Sequence, residues 1–197
     1  MTTEKMIWSG VTVGGWTLGS RVLGLLRDIV LANTVGASAG ADAFFVAFKI
    51  PNFLRRLFGE GAFAQAFVPV FTETREKEGD QSVKRLIDQV AGRLGLILIA
   101  ISILGVLLAP WIAKLFAPGF SNDPEKLTLT ADLLRWTFPY LGFICLVAFA
   151  GGILNSIGRF AVPAATPVFL NLSLMGSALF LVPLMSPSVL GLAIGVA

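Results

Sequence analysis

Long apolar stretches alternate with short polar ones along the chain, and most of the apolar stretches are long enough to cross a membrane as helices. About 20 largely apolar residues, each rising about 1.5 Å, cross the hydrocarbon core of a bilayer. On this basis we predict six membrane spans, at residues 8–34, 41–72, 94–116, 133–157, 163–185 and 187–197. The sixth is too short to cross, so we expect a truncated helix and an N-terminal portion of a longer protein.

The second predicted span is too long for a straight helix along the membrane normal. It would extend roughly 48 Å, whereas the hydrocarbon core is about 30 Å thick. We therefore expect a tilted, kinked or protruding helix, with Pro51 as one kink point and Gly59-Glu60-Gly61 as another. The charged stretch 73–93 predicts a cytoplasmic loop, and Asn122-Asp123-Pro124 predicts a turn in the polar connection 117–132.

Composition supports a polytopic α-helical membrane protein and disfavours an enzyme. Hydrophobic residues make up 55% of the chain and charged residues only 14%, whereas soluble domains carry about 25% charged residues. The chain has no histidine and one cysteine, Cys145. Serine–histidine and cysteine–histidine catalysis are therefore excluded, as is a cysteine cluster for metal. We expect no enzymatic activity, no metal, no cofactor and no nucleic-acid partner.

The positions of lysine and arginine near the ends of the predicted spans favour a cytoplasmic N-terminus. Positive charges concentrate on the cytoplasmic side of membrane proteins. With the N-terminus inside, seven basic residues fall in inside segments and three in outside segments. The inside set is Lys5, Arg75, Lys77, Lys84, Arg85, Arg93 and Arg159, and the outside set is Lys114, Lys126 and Arg135.

The first two predicted spans carry charges that a bilayer does not tolerate without compensation. A charged side chain at the membrane centre costs about 2.5–3.5 kcal/mol on insertion scales. The first span contains Arg21, Arg27 and Asp28. In the second span, four polar residues at spacings of seven, seven and four share one helix face and form a polar stripe. Arg55 points away from this stripe unless Pro51 rotates the second half of the helix. The members of this stripe are Asp42, Lys49, Arg56 and Glu60.

These charges have two interpretations. They pair with one another as structural salt bridges or reach the membrane interfaces, or they line a wet cavity that binds a polar cargo. Five basic groups against three acidic ones favour an anionic cargo, and the planar guanidinium group of arginine suits phosphate.

The second predicted span also carries a recognisable sequence. The run from Asp42 to Phe71, which includes Lys49-Ile-Pro-Asn-Phe-Leu-Arg-Arg-Leu-Phe-Gly-Glu-Gly, resembles the signature region of the MurJ (MviN) family of bacterial lipid II flippases. Ser20-Arg21-Val22-Leu23-Gly24, Arg27-Asp28 and Ala117-Pro118-Gly119-Phe120 agree with that family, as does the segment 158–164. The resemblance covers essentially the whole chain.

The resemblance implies an all-α fold, the N-terminal six-helix lobe of a fourteen-helix exporter-type transporter, with its last helix truncated here. Such proteins move the lipid-linked peptidoglycan precursor across the bacterial inner membrane by alternating access. The expected partners are then lipid II, the lipid bilayer and a C-terminal lobe of the same protein. By the same resemblance Arg21, Arg27 and Arg55 contact the head group, and Asp28, Asp42, Arg56 and Glu60 adjust the charge of the cavity or gate it.

Other functions stay open at this point. One is a polysaccharide-lipid or drug exporter of the superfamily that the resemblance implies, the multidrug/oligosaccharidyl-lipid/polysaccharide exporters. A carrier of organic cations is, however, expected to have an acidic cavity. Another is a non-transporting membrane scaffold of cell-wall synthesis, in which the intramembrane charges would tolerate neutral replacement. An intramembrane enzyme is the weakest alternative, because no nucleophile–base set is visible.

Overall fold

A computed structural model describes residues 3–56 and 62–196, and every regular element in these ranges is helical. The helices are α1 (Thr3–Thr34), α2 (Ala39–Arg55), α3 (Ala62–Glu78), α4 (Asp80–Leu107), α5 (Ala109–Phe116), α6 (Pro124–Ser156), α7 (Ala161–Phe180) and α8 (Leu190–Val196). Short 3₁₀ turns follow α5 at Pro118–Phe120 and α7 at Val182–Leu184. The predicted all-α class is confirmed for this part of the chain.

Three of the described helices are long and apolar enough to cross a membrane. They are α4, α6 and the stretch Ala161–Leu184, which comprises α7 and the turn after it. α1 has the length for a span but carries Arg21, Arg27 and Asp28, and α2 has only 17 residues. Charge and helix length therefore set α1 and α2 apart from the other long elements.

The stretch predicted as a single second span holds parts of two helices. α2 ends at Arg55 and α3 begins at Ala62, while the predicted kink at 59–61 lies outside the described residues. Pro51 is buried inside α2. The polar stretch 73–93 is helical apart from a break at Gly79, whose φ of 80° belongs to the left-handed region that glycine adopts readily. The cytoplasmic location of this stretch stays a prediction.

α6 begins nine residues before the predicted start of the fourth span. The Asp123 side chain accepts a hydrogen bond from the Lys126 N–H at 3.0 Å, and Pro124 occupies the first turn. An acidic N-cap followed by proline is a helix start signal. The sequence Asn122-Asp123-Pro124 therefore begins a helix, whereas the sequence analysis assigned it only a turn.

α6 is the central helix of the bundle. It packs against α2, α3, α4, α5, α7 and α8, and its apolar residues face several of them at once. Leu133, Leu134, Phe138, Leu141 and Cys145 form the middle of the main core. A helix that is apolar on all sides belongs in a protein interior or a membrane, and α6 occupies both environments.

The two ends of the bundle are distinguished by their connections. We term the end where α1 leads into α2 the outer end, and the end where α6 leads into α7 the inner end. A separate small core of Phe67, Phe71 and Phe149 joins α3 to the inner part of α6, with the Phe67 and Phe149 rings 5.0 Å apart and edge to face. With a cytoplasmic N-terminus, the inner end faces the cytoplasm.

Candidate anion-binding cavity

An open cavity of about 520 Å³ lies between α1, α2, α6 and α7. It reaches from Arg27 on α1 to the turn between α6 and α7, where Asn155 and Pro163 line it. We term it the inner cavity. Its remaining wall is a mixture of apolar and uncharged polar residues, including Phe48, Asn52 and Tyr140. Among the described residues, Arg27 is the one charged side chain in this wall.

Arg27 is held in place but keeps part of its binding capacity. Its side chain is 25% exposed. Nε and Nη2 donate to Oδ1 of Asp28 at 3.0 and 2.8 Å, and Nη1 donates to Oδ1 of Asn171 at 2.9 Å. A guanidinium group has five N–H donors, so two of them are left for a ligand. The cavity wall thus contains an oriented cation with two N–H donors that remain for a ligand.

Asn171 on α7 fixes this arrangement from the opposite helix. It is only 5% exposed. While its Oδ1 accepts from Arg27, its Nδ2 donates to the carbonyl oxygen of Ser20 at 3.1 Å. Both polar atoms of the amide are therefore bound to α1.

Asp28 and Arg21 do not line the inner cavity. The Asp28 side chain is 62% exposed and borders a second cavity of about 480 Å³ at the outer end, where Leu31 and Phe44 contribute apolar walls. Arg21 is exposed and borders neither cavity. Within the described part of the chain, no acidic side chain pairs with Arg21. Its predicted contact with the head group stays a prediction.

The structure places Asp42 at the outer end, in an ion pair with Lys126. Its Oδ2 lies 2.7 Å from Nζ of Lys126, whose side chain is only 16% exposed. The same ammonium group lies 4.2 Å from the ring centroid of Phe120. Asp42 therefore links the first turn of α2 to the first turn of α6 and borders neither cavity. A gating role for it stays a prediction.

Of the remaining predicted site residues, Arg56 is the one whose side chain the structure describes, and it lies at the inner end of α2. Arg56 is exposed, and its backbone N–H caps α2 by donating to the carbonyl oxygens of Asn52 and Phe53. The Arg55 side chain and Glu60 lie outside the described residues. Their predicted roles, contact with the head group for Arg55 and charge adjustment or gating for Arg56 and Glu60, stay predictions.

The described geometry agrees with comparisons to known proteins. A family model described as lipid II flippase MurJ matches residues 31–197. The chain belongs to the MurJ family. This confirms the resemblance first noted in the second predicted span, and it extends over the helices that build three of the four walls of the inner cavity.

Curated relatives support the same assignment over nearly the whole chain. A probable lipid II flippase MurJ of Vibrio cholerae is 46% identical over 201 residues, which cover 98% of this chain and 38% of the relative. A lipid II flippase MurJ of Burkholderia cenocepacia is 42% identical, with 93% and 36% covered. The chain thus spans less than two fifths of the length of these MurJ relatives.

A solved structure shares the fold. A lipid II flippase MurJ in an inward closed conformation superimposes with a TM-score of 0.78 at 33% identity. The match covers 94% of this chain and 39% of that protein. The bundle of α1 to α8 is therefore part of the MurJ fold.

The sequence analysis missed several polar residues of the site. Asn171, Asn155 and Thr166 lie in or next to the predicted fourth and fifth spans, but only charged residues were singled out there. Uncharged polar side chains within apolar spans also demand partners. An amide in the middle of the fifth span, at Asn171, was the available signal.

Proposed function

We propose that this chain is the N-terminal lobe of a lipid II flippase of the bacterial inner membrane, with its N-terminus in the cytoplasm. The observation that carries the proposal is the Arg27 guanidinium, oriented by Asp28 and Asn171 at the wall of the inner cavity. The pyrophosphate of the cargo binds there, while the lipid tail stays in the bilayer. A C-terminal lobe of the same protein completes the cavity.

The chemistry of Arg27 supports an anionic cargo. Arg27 lines the cavity and keeps two N–H donors, and a hydrogen bond from an ionised donor to an anion is about twice as strong as a neutral one. Asp28 bonds Arg27 through a single oxygen atom and remains largely exposed. Although Asp28 pairs with Arg27, it does not line the inner cavity, so Arg27 is the charged group that the described wall presents, and a phosphate group gains two donors on binding.

The proposal also accounts for polar side chains in helices that otherwise suit a membrane. A scaffold role gives no reason for Arg27, Asn171 and an open cavity to occur together. An exporter of organic cations would need a carboxylate where Arg27 stands. A carrier of a phosphorylated lipid needs a fixed cation, hydrogen-bonding groups and a cavity that water can enter.

The experiment that tests this proposal replaces Arg27 in the full-length protein. We expect the Arg27→Gln variant to fail to restore growth of a flippase-depleted strain. In cells that carry only this variant, lipid II should not appear in the outer leaflet. Loss of one charge-assisted contact costs about 1.5–3 kcal/mol, which is roughly a tenfold to hundredfold loss of affinity. The matched control is Arg93→Gln, at an exposed position of α4.

Protein level and membrane insertion are measured for both variants. Normal growth with Arg27→Gln at normal protein level would refute the role of Arg27. Outer-leaflet appearance of a different phosphorylated lipid, but not of lipid II, would assign the protein to another exporter.

A further inference from the structure

The inner cavity has a second polar region, separate from Arg27, which no sequence motif pointed to. It lies at the inner end, where Asn155 of α6 and Thr166 of α7 line the wall together with Pro163 and Pro167. Thr166 precedes Asn171 by five residues and Pro163 precedes it by eight. At about 1.5 Å per residue, this region lies roughly 8–12 Å along α7 from the amide that holds Arg27.

Proline spacing in α7 removes the usual helical donor of one backbone carbonyl in this region. Pro167 has no N–H, so it cannot donate to the carbonyl oxygen of Pro163 four residues earlier. Both prolines line the cavity, and residues four apart share a helix face. The Pro163 carbonyl therefore lacks its usual helical donor, next to the wall of the cavity. In membrane proteins, backbone groups freed from a helix in this way are tolerated where they line a wet cavity.

The neighbouring side chains add uncharged donors and acceptors. The Thr166 hydroxyl reaches the Val162 carbonyl only at 3.5 Å, which is a long contact for an O–H donor. The backbone carbonyl of Asn155 caps the end of α6 by accepting from Gly158 N–H at 3.0 Å. Its exposed side-chain amide lines the cavity and can both donate and accept. None of these groups carries a charge.

We propose that Asn155, Thr166 and the Pro163 carbonyl form a subsite for the uncharged hydroxyl and amide groups of the cargo. This inference rests on the proposed function. Arg27 binds the phosphate deeper in the cavity, and the sugar-like portion occupies the inner end. The subsite contributes specificity, because a cargo without hydroxyl and amide groups could not form hydrogen bonds with these polar atoms.

The test compares two lipids that share the pyrophosphate and the tail, one with the sugar–peptide head group and one without it. Full-length protein is titrated with lipid II and with undecaprenyl pyrophosphate, which has the phosphates and tail but no sugar. We expect the double variant Asn155→Leu with Thr166→Val to bind lipid II roughly tenfold more weakly than the unaltered protein. Its affinity for undecaprenyl pyrophosphate should be unchanged, which also shows that the variant is folded.

Two controls separate this inference from the proposed function. Thr128→Val with Asn33→Leu makes the same changes at exposed positions outside both cavities, and should leave both affinities unchanged. Arg27→Gln should weaken the binding of both lipids. Equal affinities of the double variant and unaltered protein for lipid II, or an equal loss for both lipids, would overturn the subsite alone. Failure of the unaltered protein to bind either lipid would overturn the proposed function as well.

Discussion

The neighbours of Arg27 restrict its orientation, which favours the ligand-binding role proposed for it. A free arginine side chain at a cavity wall would have many rotamers, and ordering it on binding would cost free energy. Asp28 holds two of the guanidinium N–H groups and Asn171 holds a third. Asn171 is itself fixed by the Ser20 carbonyl. A chain of hydrogen bonds thus presents the cation to the cavity in one orientation.

Asn171→Leu should weaken cargo binding although Asn171 does not line the inner cavity. The substitution removes the acceptor for Nη1 of Arg27 and the bond to Ser20, so the guanidinium group loses its preferred orientation. We expect roughly a tenfold loss of lipid II affinity, equivalent to about 1.4 kcal/mol. The measurement is lipid II titration of the purified full-length protein. Asn33→Leu, at an exposed position of α1, is the control.

A merely structural role for Asn171 would give a different result. Asn171→Leu would then lower the thermal stability without changing the affinity of the folded fraction. An affinity equal to that of the Asn33→Leu control would contradict positioning of Arg27 by Asn171.

At the scale of the helices, the packing of α6 depends on close approach to its neighbours. Gly105 of α4 is buried against the Phe138 ring, which a Cβ at this position would hit. Small residues at helix interfaces allow such contacts in membrane proteins. Thr137 of α6 adds a buried hydrogen bond to the Ala47 carbonyl of α2 at 3.3 Å. The Thr137 contact joins α6 to α2, two helices that line the inner cavity, and the Gly105 contact fixes α4 against α6.

Gly105→Ala should destabilise the bundle. Because Phe138 lies in the core, its ring cannot move without displacing other side chains, and overpacking of this kind costs about 1–3 kcal/mol. The measurement is thermal unfolding in detergent. Gly95→Ala in the same helix is the matched control, since nothing lies within 4 Å of its Cβ position. A melting temperature for Gly105→Ala equal to that of Gly95→Ala would contradict the tight contact.

The sequence allowed the helices to be predicted more easily than their ends. Apolar stretches long enough to cross a membrane indicate α4, α6 and α7. The start of α6 was missed because Asn122-Asp123-Pro124 was interpreted as a turn, whereas Asp123 caps the helix. The kink expected at Gly59-Glu60-Gly61 lies outside the described residues, so it stays a prediction.

At the scale of the whole molecule, the charged residues separate into groups that no single helix pattern could predict. Arg27 was predicted as a cavity residue and lines the inner cavity. Asp42 was placed in the same polar stripe as Arg56, yet it bonds Lys126 at the outer end. Lys126 is 84 residues distant in sequence. Helical spacing describes one face of one helix, whereas such partners depend on how the helices pack.

The arrangement of the helices predicts which side of the membrane each cavity end faces. With Cys145 replaced by alanine, Thr166→Cys at the inner end should react with a membrane-impermeant maleimide in inside-out vesicles. Thr128→Cys, exposed near the start of α6 at the outer end, should react in right-side-out vesicles. Leu98→Cys, buried in the core, should react in neither. The opposite sidedness would contradict a cytoplasmic N-terminus, and an unreactive Thr166→Cys would contradict an inner cavity that water enters.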